Sequence, residues 1–103
     1  MLFLFERPTI GPFWNRGTLM PLDVTFIDER LHAIATEPLP SLEETNGRIV
    51  EVRPPRPYVA VLETPRGLLA DLGFPKRGAR FDRSLGFSAH PERVLLVARW
   101  RSR

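Results

Sequence analysis

Trp14, Thr18 and Asp23 are the residues of this chain whose types and spacing could do chemistry, and all three fall in one stretch, Phe13–Asp28, reading FWNRGTLMPLDVTFID. A carboxylate facing a cleft acts as an acid or base, or binds a hydroxyl. An indole face stacks on a sugar or a base. The Thr18 hydroxyl serves a turn or a ligand equally well. Each also has a structural reading. Asp23 can hydrogen-bond backbone near Thr18 and hold the Pro21 corner, because a buried carboxylate must be paired in any case. Trp14 can simply fill core.

Elsewhere the chain offers little reactive chemistry. It has no cysteine and only two histidines, His32 and His90, which excludes disulfides and thiolate metal sites and leaves too few ligands for a histidine zinc centre. No cofactor is implied, and of metal sites only one built from carboxylates stays open. No serine stands in a G-x-S-x-G elbow, and no glycine-rich phosphate loop occurs. Glu43 and Glu44 are adjacent, so they read as a solvated loop, and Tyr58 reads as sheet packing. A Ser-His-Asp set cannot be placed by spacing alone.

The formal net charge of +3 hides an asymmetry. Residues 1–64 hold 6 Arg/Lys against 9 Asp/Glu, whereas residues 65–103 hold 9 against 3. Arg99, Arg101 and Arg103 alternate, which in a strand makes a basic stripe able to meet phosphates. No nucleic-acid motif accompanies them, so a solvated terminus is the favoured reading and nucleic acid is not an expected partner. Only Lys76 among the 15 basic residues is a lysine. No run reaches the roughly 18 apolar residues of a membrane span. The opening Met1–Phe5 is shorter than the about 7–15 residues of a leader core, so the chain as written reads as cytoplasmic, and as exported if its true start lies upstream.

The elements that must position these side chains are short. Eleven prolines in 103 residues, about double the roughly 5% background, favour strands and rigid turns over long helices. Leu2 to Phe5 reads as a strand stopped by Glu6-Arg7-Pro8. Leu22, Val24 and Phe26 alternate with Asp23 and Thr25 in the period of a half-buried, central strand running to Ile27. A tight connection at Asp28–Arg30 predicts an antiparallel partner, with Leu31, Ala33 and Ala35 on one face and His32, Ile34 and Thr36 on the other. From Pro38 to Pro57 the chain is rich in proline and charge, with a turn at Asn46-Gly47 and a short run, Ile49, Val50 and Val52, that the flanking prolines confine to an edge strand or a loop. Such a segment is often functional or mobile. Tyr58–Leu62 reads as a strand. A helix then follows, with Thr64 as cap, Pro65 at its first position, Leu68, Leu69 and Leu72 as its apolar face and Gly73 closing it. Ala79–Asp82 is a brief strand, Ser84–Pro91 a loop, and Val94–Val97 a last strand.

The Phe13–Asp28 stretch resembles the signature of domain of unknown function family 192, whose usual run is F-W-M-K-N-T-L, any residue, P-L-D, then F-I or F-V. Met1–Phe5 is similar to that family's M-L-F strand, and residues 58–81 resemble its Y-V-L-E segment. The resemblance covers 1–81. It implies a mainly β fold, a small antiparallel β-sandwich or barrel-like domain with one short helix, and no established biochemical role. Asn15 stands where the family prefers methionine, Gly17 where it prefers asparagine, and Ala79 where it prefers G-D. Family members also carry a strand before the M-L-F motif. The favoured expectation is that the start has been misplaced or the chain truncated; the alternative is a missing element, which would leave an open strand edge that invites a homodimer.

One domain over 1–103 is therefore expected, a family-like core over 1–81 and a C-terminal extension over 82–103 with a final strand and a basic tail. The expected function is a non-enzymatic module that binds a small ligand or a protein partner in a cleft of Trp14, Thr18 and Asp23, with the Pro38–Pro57 loop over it. The alternatives are a hydrolase-like enzyme using Asp23 as acid or base, and an anionic-partner module using the C-terminal arginines.

Overall fold

The computed structural model describes residues 1–74 together with the backbone of 81–82, 86–87 and 100–102. The fold is mainly β with one short helix. Its principal sheet has the order β4-β3-β6-β1-β9, built from β1 (Leu2–Thr9), β3 (Leu22–Ile27), β4 (Ala33–Leu39), β6 (Tyr58–Pro65) and β9 (Trp100–Ser102). Four of these strands pair antiparallel, and β9 runs parallel to β1 along Leu2–Leu4. A two-stranded ribbon joins β2 (Phe13–Trp14) to β5 (Glu51–Val52), and a second joins β7 (Phe81–Asp82) to β8 (Gly86–Phe87).

The strand read at Leu22–Ile27 is present and central, but it is not half-buried: Val24, Thr25, Phe26 and Ile27 are all buried, because both faces of β3 are covered. Phe3, Phe13, Val24, Phe26, Leu39, Tyr58 and Val61 share one cluster, and Ile27, Ala33, Ala60, Leu62 and Leu69 share the other. Val24, Phe26 and Val61 are fully buried. Each contributes roughly 1.5–3 kcal/mol against about 1 kcal/mol net for one hydrogen bond, so burial rather than the ladder sets the register. Tyr58 is the aromatic hub, 4.9 Å from Phe26 and 5.3 Å from Phe5 by ring centroids. Its hydroxyl donates to the Gly11 carbonyl at 2.6 Å.

Four local expectations are corrected. Pro8 lies within β1, which continues to Thr9 through an irregular register after Leu4. The faces of β4 do not alternate strictly, because an irregularity between Phe26 and Ile27 turns both Ile34 and Ala35 toward the first cluster. The helix α1 spans only Leu68–Asp71, with Gly67 at its N-cap. Thr64 and Pro65 stay in β6 because they pair with Asp23 and Leu22, and the sheet ladder outweighs capping. Within the span expected as the loop Ser84–Pro91, β8 pairs with β7. The closing glycine is as expected: Gly73 has φ 83, and the Phe74 N–H donates back to the Leu69 carbonyl. The strand expected at Val94–Val97 lies outside the described residues.

Candidate functional site

The short strand β2 sends neighbouring side chains opposite ways, as strand geometry requires. Phe13 goes inward, edge-on to Phe3 at 5.7 Å and Phe26 at 6.2 Å. Trp14 goes outward and is 52% exposed. Asn15, next in line, is fully buried, and its amide is fully employed. Nδ2 donates to Thr45 Oγ1 and to the Arg48 carbonyl, and Oδ1 accepts from the Val50 N–H at 2.8 Å. A tight turn follows, with the Thr18 N–H donating to the Asn15 carbonyl at 3.0 Å and Gly17 at φ 72. Positive φ is open to glycine and tolerated by asparagine, so Gly17, standing where the family motif carries asparagine, preserves the backbone while removing an amide.

Beyond this turn lies an open cleft of about 610 Å³, lined by the 12–14 and 16–20 segments with Leu22 and Glu63. Six large apolar side chains are exposed among the described residues, and three of them, Trp14, Leu19 and Met20, line this one cleft. Leu19 is 88% exposed. Arg16 is exposed in the lining, while Thr18 and Glu63 are half-buried.

Trp14 and Thr18 are thus brought together, and Asp23 is directed elsewhere. Its Oδ2 accepts from the Gly67 N–H at 2.9 Å, anchoring the turn into α1. The Pro21 carbonyl next to it accepts from the Arg66 N–H. The backbone that Asp23 holds therefore belongs to the β6–α1 turn and not to Thr18, and Asp23 is not part of the cleft lining.

No residue of 38–57 lines the cleft either. That segment is closed on itself. The Ser41 N–H donates to Glu44 Oε2 while the Glu44 N–H donates to Ser41 Oγ, a reciprocal capping box. Arg66 Nη1 meets Glu44 Oε1 at 2.6 Å. Glu44 is therefore not merely solvated. The Arg66 hydrogen bond, then the Ser41 N–H, hold its carboxyl below the usual glutamate value. Asp28 is held low too. Its burial pushes the other way, but the N–H groups of His32 and Arg30 and the Arg56 guanidinium outweigh it. His32 is thereby placed in the β3–β4 connection. His90 and the side chains of the arginine tail lie outside the described residues.

Among the described residues no group of three or more His, Cys, Asp or Glu could hold a metal ion. No helix there is long and apolar enough to cross a membrane.

Two structural anchors escaped the sequence reading, and both had a signal. Ser41-Leu42-Glu43-Glu44 is the S-x-x-E pattern of a capping box. Asn15 follows from alternation: if Phe13 is inward, Asn15 is inward, and a buried amide must find partners.

Comparison with known proteins adds a family without a chemistry. The family model DUF192, described as Uncharacterized ACR, matches residues 1–81. No curated protein and no solved structure matches the chain.

Proposed function

We propose that this chain, which belongs to the DUF192 family of uncharacterised proteins, is a non-enzymatic binding module that takes an apolar group of a ligand or partner protein into the Trp14–Thr18–Met20 cleft. The observation that carries this reading is the concentration of Trp14, Leu19 and Met20 around one opening. Scattered exposed apolar residues are ordinary, whereas several gathered at a concavity mark a binding surface. The cleft volume of about 610 Å³ suits a small ligand or a few residues of a partner. Met20 adds an unbranched, polarizable side chain of the kind that adapts to varied apolar shapes. The Asn15 anchor keeps the Trp14 backbone in place, so little order has to be gained on binding.

A catalytic reading through Asp23 has less support, because one carboxylate oxygen is already bound to the Gly67 N–H and the cleft lies elsewhere. The test is an NMR titration of labelled protein with neutral phenyl- and cyclohexyl-bearing fragments. Shifts should concentrate at Trp14, Leu19 and Met20, vanish in Met20→Ser with Trp14→Ala, and persist in a folded Asp23→Ala. Shifts confined to other surfaces would overturn the reading, and loss of binding in folded Asp23→Ala would return Asp23 to the site.

A further inference from the structure

The same cleft carries two features that an apolar ligand alone would not use. Arg16 makes no hydrogen bond or ion pair among the described residues, although Arg53, Arg56 and Arg66 each meet a carboxylate, on Glu51, Asp28 and Glu44. Arg16 is also exposed whereas Glu63, the carboxylate of the lining, is half-buried, so a positive charge is what an incoming group meets first. The second feature is the backbone of Leu19 and Met20. Its N–H and C=O groups join no strand and no hydrogen bond among the described residues, and they border the exposed apolar side chains. Main-chain groups left open beside a side-chain pocket are the elements of extended-peptide recognition. An alkyl chain would gain nothing from them.

We infer that the cleft receives an extended peptide segment in which a large apolar side chain stands two residues from a carboxylate, so that both face the cleft. The apolar group rests against Trp14, Leu19 and Met20, the carboxylate takes the Arg16 guanidinium, and the peptide main chain pairs with Leu19–Met20. This rests on the binding-module reading and names its ligand class. Charge complementarity at Arg16 selects an acidic peptide, and a guanidinium–carboxylate contact is charge-assisted and directional.

Fluorescence anisotropy with a labelled, C-terminally amidated heptapeptide, Gly-Ser-Phe-Ser-Asp-Ser-Gly, whose phenylalanine and aspartate share one face when extended, tests it. The aspartate form should bind roughly 10-fold tighter than the asparagine form, the size of one charge-assisted contact. Arg16→Glu should abolish that preference and make the lysine form the tightest, with an unchanged melting temperature because Arg16 is exposed. Equal binding of the aspartate and asparagine forms would overturn the inference, as would binding of dodecanoate at the cleft without binding of any peptide. Neutral fragments that bind there while no peptide does would overturn this inference and leave the binding-module reading standing. Failure of both would remove both.

Discussion

Two irregular segments flank the buried Asn15, and they have opposite characters. Residues 41–50 are sealed: a capping box at Ser41 and Glu44, the Thr45 hydroxyl donating to the Arg48 carbonyl at 2.7 Å, and the Asn15 amide leave little backbone for a ligand. Residues 16–20 are open, with Leu19 and Met20 exposed and their main chain unclaimed among the described residues. The longer, charged, proline-flanked segment attracts attention in the sequence, yet the five-residue one carries the cleft. A polar loop that satisfies its own groups is scaffold. An apolar loop that does not is available for binding.

The sharpest challenge to this contrast is Asn15→Ala. It removes three side-chain hydrogen bonds and leaves buried partners unpaired, so urea unfolding should show a loss of about 2–4 kcal/mol. A loss below about 1 kcal/mol would mean that the 41–50 segment is not held through this amide.

A smaller, local effect should come from acid. The Glu44 carboxyl titrates lower in the folded chain than its ordinary value of 4.5, so its contribution is present above that value and lost as pH falls through the folded pKa. The Ser41 amide proton, followed by NMR, should titrate with a midpoint below 4.5, and Arg66→Ala should move that midpoint upward. An unmoved midpoint would detach Arg66 from the seal.

The smallest expected effect lies on the open side. Leu19→Ser removes a side chain that is 88% exposed, so stability should change by less than about 0.5 kcal/mol while fragment binding at the cleft is lost. A large destabilisation would show Leu19 to be packing and not rim.

Much of the fold was legible. Leu22–Ile27 as a strand with neighbours on both sides, its antiparallel partner, the Asn46-Gly47 turn at positive φ and the terminating Gly73 all followed from local pattern and backbone preference. The geometry of the candidate site was legible in part. Trp14 and Thr18 do line one cleft, but the reading attached Asp23 to them because the three are close in sequence. It also gave Thr64 to the helix, since the capping pattern there is sound locally. The ladder with Asp23 overrode it.

By itself the sequence determined the mainly β class, the family resemblance and the positions of several turns, because alternation and φ preference act over a few residues and need no distant partner. Tertiary structure alone decided which face of β2 is inward, that the Asp23 carboxylate serves a backbone 44 residues away, and that the Asn15 amide finds its partners in Thr45, Arg48 and Val50. The reason is that burial and hydrogen-bond satisfaction are set by groups that meet across the fold, here 30 to 44 residues apart in the chain, and no local pattern encodes which polar group will find its partner there.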